Sequence, residues 1–372
     1  METCDALIIG GGPAGSSCAR QLRRHCQDVM VIDKAEFPRD KVCAGWITPA
    51  VLRTLEIDPR AYARQHTLQP IRAFRTGLID ERPLTSKYPD TVSYGIRRRE
   101  FDDYLLRRAD ARLALGQPLE SLRREGSRWV INDAVSTPLL IGAGGHFCPV
   151  ARHLGAKVGA GETAVAAKEV EFEMGAGQIA ACEVKPEMPE LYFCEDLSGY
   201  GWCLRKGRFL NIGLGMERAH GLSGALERFC RFLEQSGRIP PDIPDRFHGH
   251  AYLLYGRSDR KLLDDGVLLV GDAAGLACAR SGEGILPAVE SGLMAAATVL
   301  QAAGDYRSER LAAYRQRLSA RYGVPAGGAA SREAGTLRKG LGRLLLRSRW
   351  LTRHVVLDRW FLHAGQTDLQ GI

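Results

Sequence analysis

The pattern of apolar and polar positions changes twice along this chain. Near its start, the apolar runs at 6–9 and 29–32 flank a segment of helical spacing, which is typical of two buried parallel strands joined by a helix. Between residues 159 and 260, strand-like segments such as 166–172 are separated by Pro and Gly, which predicts an antiparallel sheet. Residues 306–322 have the pattern of a charged helix. We therefore expect an α/β protein with two different sheets and a helical C-terminal region.

The first apolar run ends in a glycine turn. Gly10, Gly12 and Gly15 follow it with the spacing G-x-G-x-x-G and lead into the helix. Gly10 permits a tight turn, Gly12 leaves room for a pyrophosphate at the helix N-terminus, and Gly15 allows the helix to pack closely on the strand. Asp33 ends the second strand, where a carboxylate can accept the hydroxyl groups of an adenosine ribose. The segment therefore predicts a dinucleotide-binding unit, with further contacts from Pro13, Ala14 and Lys34.

A second glycine-rich segment follows the apolar run 267–270. The carboxylate of Asp272 can accept a hydroxyl of the ribitol chain of a flavin. A helical pattern begins after the turn at 282–284, and the free N–H groups of that helix can stabilise the negative charge that a flavin gains on reduction. By itself the segment could be any turn from a strand to a helix, but after a G-x-G-x-x-G segment it resembles the second flavin motif of FAD-binding proteins, and this resemblance implies FAD as the cofactor. The expected contacts here are Gly271, Asp272, Gly282, Glu283, Gly284 and Ile285.

The loop at 34–49 carries side chains suited to a flat ligand. It is rich in Pro, Gly and charge and has neither the helical nor the strand period. Arg39 and Lys41 can meet phosphates or the edge of a flavin ring; the alternative is a surface loop with two solvated cations. Cys43 either lies beside the ring and tunes or gates substrate access, or fills a gap as a buried small residue. The small residues that would let a flat ring pass closely are Cys43, Ala44 and Gly45.

Length, composition and charge bear on the number of domains and on the class of binding partner. The chain has 372 residues, enough for two domains, and its 45% hydrophobic and 25% charged residues are ordinary for a globular protein. Its formal net charge is +8, but residues 337–364 alone hold seven basic residues against one acidic residue. Because the rest of the chain is nearly neutral, we expect no nucleic-acid partner.

The cysteines and the apolar runs bear on metal content and on localisation. Ten cysteines are scattered without a C-x-x-C pair or a Cys/His cluster, so we expect neither a metal site nor a disulfide framework. The first strand leaves no room for a signal peptide, and no charge-free apolar run reaches the ~18 residues of a membrane helix. A cytoplasmic protein is therefore expected.

Three segments resemble the geranylgeranyl reductase family, a branch of the para-hydroxybenzoate hydroxylase-like flavoproteins. FPRDKVCAG at 37–45 is similar to the loop after the first strand pair in that family. RREFDDYL at 98–105 resembles its R-x-x-F-D-x-x-L helix, and IGAGGHFCPVAR at 141–152 resembles the segment that returns to the first strand. The resemblance implies that the bound dinucleotide is also contacted by Arg98, Ala143 and Gly144.

A fourth segment resembles the substrate side of the same family. GYGWCLRKG at 199–207 is similar to the family's Y-x-W-x-F-P-K-G strand pair, but Leu204 and Arg205 replace Phe-Pro. The pocket of this chain is therefore expected to differ where substrate is contacted. Tyr200 and Trp202 are two residues apart and share one face of a strand, where they either line the cavity or fill the core.

These observations predict a Rossmann-like FAD-binding domain with an inserted antiparallel β-sheet substrate domain and C-terminal helices. The FAD-binding domain is expected at 1–60, 92–158 and 262–305, and the substrate domain at 61–91 and 159–261. The C-terminal helical region covers the remaining residues, 306–372. Its Gly/Ala-rich stretch at 323–335 is expected to be a linker or lid.

The activity that the resemblance implies is FAD-dependent redox chemistry on an apolar or prenyl-like small molecule. Hydride transfer to a carbon–carbon double bond is the simplest form, and monooxygenation with NAD(P)H and oxygen is the alternative. A third alternative is an FAD-bound binding or regulatory protein without turnover. One dinucleotide fingerprint is present, so NADPH or NADH would visit the flavin transiently. A halogenase is disfavoured because the W-x-W-x-I-P motif is absent.

The basic tail has one apolar stripe. Residues 337–362 place leucines and Val355 on one side of a helical pattern and most of the arginines on the other. Such a helix can cap the substrate cavity, bind a membrane surface peripherally, or pair with a second subunit. The sequence leaves these three roles and the oligomeric state open.

Overall fold

The computed structural model describes residues 1–159, 162–217, 220–324 and 336–369, without the side chains of 336–341. Most of the predicted linker or lid at 323–335 lies outside the described residues. The helices are Pro13–Arg24, Pro49–Thr54, Pro59–Ala63, Arg98–Arg108, Pro149–His153, Ala176–Ala181, Leu222–Gln235, Ile285–Ala302, Ser308–Leu311, Ala313–Tyr322, Thr336–Arg347 and Arg349–Leu351, with a 3₁₀ turn at Gly271–Ala273 and a π-helix at Thr352–Phe361.

The first sheet, called the parallel sheet below, contains the parallel strands that the early apolar runs predict, and its edge strand Leu263–Asp264 runs antiparallel to Val267–Leu269. Ala6–Ile9 pairs in parallel with Val29–Asp33 on one side and with Leu140–Gly142 on the other. All four residues of Ala6–Ile9 are buried, which explains why this strand is continuously apolar. In spatial order the six strands are Leu263–Asp264, Val267–Leu269, Leu140–Gly142, Ala6–Ile9, Val29–Asp33 and Arg112–Leu115.

One helix beside this sheet has the length and composition of a membrane span. Ile285–Ala302 has a mean hydropathy of 1.4, and 72% of it is buried inside the structure. A Cβ on Gly292 would overlap the backbone oxygen of Ala14, so this helix lies directly against Pro13–Arg24. These contacts are those of a core helix.

The second large sheet is the antiparallel sheet expected after residue 159. Its only parallel pair within the described residues joins Ala73–Leu78 to Glu190–Phe193. Helix Leu222–Gln235 covers one face, where Phe229 packs so closely on Gly201 that a side chain there would overlap its ring. The opposite face looks toward the parallel sheet. In order the seven strands are His248–Tyr252, Val165–Glu173, Phe209–Met216, Gly199–Lys206, Glu190–Phe193, Ala73–Leu78 and Leu84–Lys87.

Two smaller sheets complete the fold. A four-stranded sheet contains Glu2–Thr3, Val135–Thr137, Arg128–Ile131 and Leu122–Glu125. A three-stranded sheet contains Trp46–Ile47, Ser93–Ile96 and Leu68–Ile71. This last sheet joins strands from both sides of the expected domain boundaries at residues 60 and 91, and the domain division itself remains a prediction.

The C-terminal region does not form the single helix expected at 337–362. Thr336–Arg347 ends before Ser348, whose backbone is extended and whose Oγ accepts a hydrogen bond from the Leu351 N–H at 3.4 Å. The chain then continues into the π-helix Thr352–Phe361.

This break changes which apolar residues are buried. A π-helix closes i→i+5 hydrogen bonds, so its side chains rotate less per residue than in an α-helix. Leu344, which belongs to the apolar stripe of the sequence pattern, is 58% exposed. Leu337 and Leu341 have side chains that the structure does not describe. The residues buried against the seven-stranded sheet are Leu346, Val356, Leu357 and Phe361.

Candidate active site

A large cavity lies where the parallel sheet meets the seven-stranded sheet. Its volume is about 750 Å³. It lies at the carboxyl ends of Ala6–Ile9 and Val29–Asp33, where open α/β sheets bind ligands. The predicted site residues that line it are Gly10, Gly12, Pro13, Ala14, Asp33, Lys34, Arg39, Lys41, Cys43, Ala44, Arg98, Ala143, Gly144, Tyr200, Trp202, Asp272, Gly282, Glu283, Gly284 and Ile285. Three predicted contacts, Gly15, Gly45 and Gly271, lie outside this lining.

The three glycines of the first turn have different surroundings. A Cβ on Gly10 would overlap the backbone oxygen of Ala143, and a Cβ on Gly15 would overlap that of Gly10. A Cβ on Gly12 would meet only Arg39 Nη2, at 3.5 Å, among the described residues. Gly10 and Gly15 therefore allow backbone segments to pack closely, whereas at Gly12 the backbone itself faces the cavity without a side chain.

The Asp33 carboxylate is fixed beside this turn. Its Oδ2 accepts a hydrogen bond from the Gly11 N–H at 2.8 Å, and its Oδ1 accepts one from the Ala35 N–H at 2.9 Å. The side chain is half-buried and lines the cavity. A carboxylate held in this way keeps lone pairs that can accept hydroxyl groups of a ligand.

Two arginines of the cavity converge on the buried carboxylate of Asp102. Arg98 donates to it at 2.7 and 2.8 Å, and Arg39 Nη2 lies 3.1 Å away. Burial raises the pKa of Asp102, but the charge and hydrogen bonds of Arg98 outweigh burial and hold the pKa below its ordinary value. Arg39 Nη1 is buried without a hydrogen-bond partner among the described residues, so it remains available to an anionic ligand.

Lys41 contacts a histidine from the seven-stranded sheet. Lys41 Nζ lies 3.0 Å from the His250 ring nitrogens, and His250 Nε2 lies 3.4 Å from Asp272 Oδ2. Burial lowers the pKa of Lys41 to about 8, and the negative charge of Asp272 opposes this shift. Lys41, His250 and Asp272 are thus three ionisable side chains in contact inside the cavity. They link the loop at 34–49 to the second glycine segment.

The loop that carries Cys43 is anchored to the seven-stranded sheet. Asn211 Nδ2 donates to the Cys43 backbone oxygen at 3.2 Å and to Glu169 Oε2 at 2.8 Å. The backbone amide of Cys43 also hydrogen-bonds Glu169. A Cβ on Gly45 would overlap Lys206 Nζ, so Gly45 lets the loop cross the sheet closely.

Glu169 is the buried acid beneath this loop. It is 6% exposed. Burial raises the pKa of Glu169 to about 7, against the Cys43 amide, the Lys206 charge and the Asn211 amide, which lower it. Lys206 makes its 2.6 Å ion pair with the neighbouring Glu171 instead.

The end of the cavity against the seven-stranded sheet is aromatic. Tyr200 and Trp202 both line it, and Trp202 is also 6% exposed, so this residue belongs to the cavity wall and to the core together. The Trp202 indole N–H donates to Asn211 Oδ1 at 2.8 Å, and the Tyr200 hydroxyl donates to the Ser281 backbone oxygen at 2.6 Å. Three further rings line this end: Trp46, Tyr252 and Phe361.

The turn at 282–284 lies between this aromatic end and the second glycine segment. A Cβ on Gly282 would overlap the Tyr252 hydroxyl, and a Cβ on Gly284 would meet Asp272 Oδ1 at 3.3 Å. Glu283 Oε2 lies 2.9 Å from Nε2 of His363 near the C-terminus. Of the three roles expected for the basic tail, capping the cavity corresponds to a described contact; the membrane and subunit roles stay predictions.

Several residues of the site were missed in the sequence. Asp102 follows Arg98 by four residues on one helix, and that spacing is a signal from which the pair can be inferred. His250, Asn211 and Phe361 come from distant segments and carry no local motif. Among the described residues there is no group of three or more His, Cys, Asp or Glu that could hold a metal ion.

The donors and acceptors of the cavity fit the ADP half of FAD. A pyrophosphate needs bare backbone and free donors, which Gly12 and the unpartnered Nη1 of Arg39 supply. A ribose needs a fixed acceptor, which Asp33 supplies. The assignment of individual residues to FAD remains a prediction.

Comparisons with known proteins identify the family. The sequence pattern of DAO, described as FAD dependent oxidoreductase, matches residues 5–156. Digeranylgeranylglycerophospholipid reductase 2 of Methanothermobacter thermautotrophicus is 30% identical over 317 residues, which cover 80% of this chain and 78% of that protein. This chain belongs to the geranylgeranyl reductase family of FAD-dependent oxidoreductases.

Other relatives in the geranylgeranyl reductase family agree over greater lengths. The digeranylgeranylglycerophospholipid reductase of Methanothrix thermoacetophila is 29% identical over 390 residues, covering 99% of this chain and 90% of that protein. The crystal structure of a geranylgeranyl bacteriochlorophyll reductase-like protein from Thermoplasma acidophilum matches with a TM-score of 0.73 and 23% identity, over 93% of this chain and 88% of that one. These comparisons confirm the predicted family, the α/β flavoprotein fold and an FAD-dependent oxidoreductase.

Proposed function

We propose that this enzyme uses FAD to reduce a carbon–carbon double bond of an apolar, prenyl-like small molecule. The observation that carries the proposal is the continuity of the cavity, which runs from the bare glycine turn at Gly12 to a wall of Trp46, Tyr200 and Trp202. Such a wall favours an apolar ligand and excludes water from the reacting bond. The relatives named as digeranylgeranylglycerophospholipid reductases support the same reaction class.

The cavity residues divide into those that hold the cofactor and those that face the substrate. We assign the pyrophosphate to the Gly12 backbone and Arg39, the ribose to Asp33, and the ribitol to Asp272. The helix that begins at Ile285 favours negative charge near its N-terminus. When bound and reduced, FAD supplies the hydride; the protein orients the substrate and excludes water.

Reduction of a double bond also needs a proton. Lys41 is a suitable donor because its pKa of about 8 keeps it mostly protonated at neutral pH while release of the proton stays accessible. His250, 3.0 Å away, connects Lys41 to Asp272 and can return a proton after turnover. The sequence has one dinucleotide fingerprint, and FAD occupies it. NADPH or NADH as electron donor would therefore have no binding domain of its own and would reduce FAD during a transient visit.

The test is anaerobic turnover with purified protein. FAD bound to the protein should be bleached by NADPH or NADH and should regain its colour on addition of an unsaturated acceptor, with the saturated product appearing in equal amount. Product that forms only with oxygen, and oxygen consumption equal to it, would replace the proposal with monooxygenation. Bound FAD that neither donor nor acceptor affects would indicate a binding or regulatory protein.

A further inference from the structure

The residues after the C-terminal helix form a strap across the substrate end of the cavity. We define the C-terminal strap as residues 352–369, which begin with the π-helix Thr352–Phe361. Val356 and Leu357 are fully buried on the side of the seven-stranded sheet. Phe361 reaches the cavity itself and is 5% exposed.

Phe361 completes an aromatic enclosure. Its ring stacks on Trp46 with centroids 5.5 Å apart and planes inclined by 10°. It meets Tyr200 edge-on at 5.3 Å and Phe193 edge-on at 6.3 Å. Aromatic contacts of this kind add to the stabilisation from buried area, so three neighbouring rings hold Phe361 in this position.

Polar contacts hold the strap on the side of the seven-stranded sheet. The Tyr88 hydroxyl donates to Asp358 Oδ1 at 2.6 Å. His354 Nδ1 lies 3.0 Å from the other carboxylate oxygen of Asp358. His354 belongs to the strap itself, so the tie to the sheet at this point is the Tyr88 bond to Asp358, three residues before Phe361.

Further contacts hold the strap on the side of the glycine turns. His363 lies against Glu283 of the turn at 282–284, with Nε2 2.9 Å from Oε2 but outside hydrogen-bond geometry. Arg53 donates twice to the Asp368 carboxylate, at 2.8 and 2.9 Å, and Arg321 Nη1 donates to the Thr367 backbone oxygen at 2.7 Å. The strap is therefore tied on both sides of the cavity, with Phe361 between the two sets of contacts.

The closed end limits the space for substrate. The whole cavity of about 750 Å³ lies within the range of roughly 300–1,000 Å³ that a single ligand pocket occupies. FAD has to lie in the same cavity, so only a small part of this volume remains beside Tyr200 and Trp202. Phe361 lies between Trp46 and Tyr200 in the lining of this remainder and narrows it.

We propose that Phe361 of the C-terminal strap is a specificity-determining residue, and that it restricts this enzyme to compact unsaturated acceptors with one short chain or ring. The inference rests on the proposed reduction of a double bond and deepens it by naming the substrate class. Removing the Phe361 ring joins its volume to the cavity, because Trp46 and Tyr200 are fixed by their own neighbours. The geometry therefore assigns chain-length selection to this one ring.

The test compares prenyl alcohols of increasing length in the holoenzyme. Wild type, Phe361→Ala and Phe361→Leu are assayed with geraniol, farnesol and geranylgeraniol under anaerobic conditions. Binding of the same alcohols is measured independently from the change that they cause in the FAD absorbance spectrum. Phe232→Ala is the matched control, because Phe232 is a partly buried ring on the opposite face of the seven-stranded sheet and does not line the cavity.

We expect wild type to favour geraniol over geranylgeraniol by about tenfold or more in kcat/KM, a discrimination that pocket shape alone can supply. Phe361→Ala should lower the KM for geranylgeraniol and remove most of this preference. Phe361→Leu should show a preference between those of wild type and Phe361→Ala. It also keeps the test possible if Phe361→Ala does not fold. Phe232→Ala should keep the wild-type preference.

The two proposals fail in different ways. If no alcohol is reduced but the spectral titrations show tighter geranylgeraniol binding in Phe361→Ala, the reaction class is wrong and the role of Phe361 stands. If wild type binds and reduces all three alcohols equally, or if both Phe361 variants keep the wild-type ratio, Phe361 does not select the substrate.

Discussion

Asn211 Nδ2 lies 3.2 Å from the backbone oxygen of Cys43 and donates a hydrogen bond to it. The two residues are far apart in sequence, and this bond ties the cavity loop to the seven-stranded sheet. The same amide group also donates to Glu169, and its oxygen accepts from Trp202. The position of Cys43 is therefore coupled to a buried acid and to a ring of the cavity wall.

This anchoring predicts a moderate role for Cys43. Hydride transfer requires no covalent bond to the protein. The loop is tied to the seven-stranded sheet through the Cys43 backbone, and the Cys43 sulfur accepts a local hydrogen bond from the Gly45 N–H at 3.4 Å. Cys43→Ser should leave FAD bound and change kcat by less than about tenfold, as expected from a loss of about 1 kcal/mol. Cys43→Trp should keep the fold and block the cavity. Anaerobic turnover and FAD content measure both effects.

Cys26→Ser is the control for Cys43→Ser, because Cys26 is exposed and lies outside the cavity. Complete loss of turnover in Cys43→Ser, with FAD content and thermal stability unchanged, would make the thiol essential and contradict a tuning role.

Glu169 gives the protein a predictable pH dependence. Its pKa of about 7 in the folded state lies above the ordinary 4.5, so the folded state binds this proton more tightly than the unfolded state. The contribution of Glu169 to the free energy of unfolding should fall as pH rises from about 4.5 to about 7 and should then level off, while the lowered pKa values of His146 and His250 give a slope of opposite sign below 6.5. A shift of this size corresponds to at most about 3 kcal/mol. Denaturant unfolding across this pH range measures the effect.

Glu169→Gln is the variant that isolates this proton. The amide keeps the size of the side chain and cannot ionise, so the variant should lack the Glu169 contribution between pH 4.5 and 7. Glu173→Gln is the control on the same strand, since Glu173 is exposed and pairs with Arg208 at the surface. Parallel pH curves for Glu169→Gln and wild type would show that Glu169 does not titrate in this range.

Gly12→Val should separate cofactor binding from folding. Gly12 has φ −74°, which any residue adopts, and a Cβ there meets only Arg39 Nη2 among the described residues. The apoprotein should therefore fold, but the side chain would fill the space reserved for the pyrophosphate and FAD retention should be lost. Absorbance at flavin wavelengths and FAD released on denaturation measure the occupancy.

Gly177→Val is a suitable control for Gly12→Val. Gly177 lies in the helix Ala176–Ala181, and a Cβ there meets no described atom within 4 Å. Normal FAD occupancy in Gly12→Val would refute the assignment of the pyrophosphate to this turn.

Asp272→Ala should weaken FAD binding without abolishing it. We assign one ribitol hydroxyl to this carboxylate, and a hydrogen bond to a charged group is worth about 1.5–3 kcal/mol. The Kd for FAD should therefore rise at least about tenfold, as measured by titration of apoprotein. The reduction potential should shift less than in Gly282→Val, where the new side chain would overlap the Tyr252 hydroxyl and disturb the turn.

The acid Asp264 offers a comparison for Asp272→Ala. Asp264 pairs with Lys261 and does not line the cavity, so Asp264→Ala should keep the wild-type Kd for FAD. An unchanged Kd in Asp272→Ala would leave the second glycine segment with a structural role alone.

The parts of the site that could be predicted are those that short segments encode. The turn at Gly10 to Gly15 and the acid Asp33 lie within one strand–helix–strand unit, so local spacing was enough to indicate them. The contact of Lys41 with His250 and that of Cys43 with Asn211 depend on which strands pair in the seven-stranded sheet. A single sequence does not carry that register in any local pattern.

The C-terminal region shows the same distinction. Its apolar content indicated a helix, but Ser348 takes an extended backbone and the next turn winds as a π-helix. Burial of Phe361 follows from contacts with Trp46 and Tyr200, which lie in distant segments. Periodicity alone therefore did not single out Phe361.

The order of strands in the parallel sheet has a consequence for synthesis on the ribosome. Ala6–Ile9 obtains one neighbour, Val29–Asp33, from residues that emerge soon after it. Its other neighbour is Leu140–Gly142, which in turn pairs with Val267–Leu269. Contacts between such distant segments form slowly, because a long loop of chain has to close before they are made. The sheet around Ala6–Ile9 is therefore finished only after Val267–Leu269 has been translated.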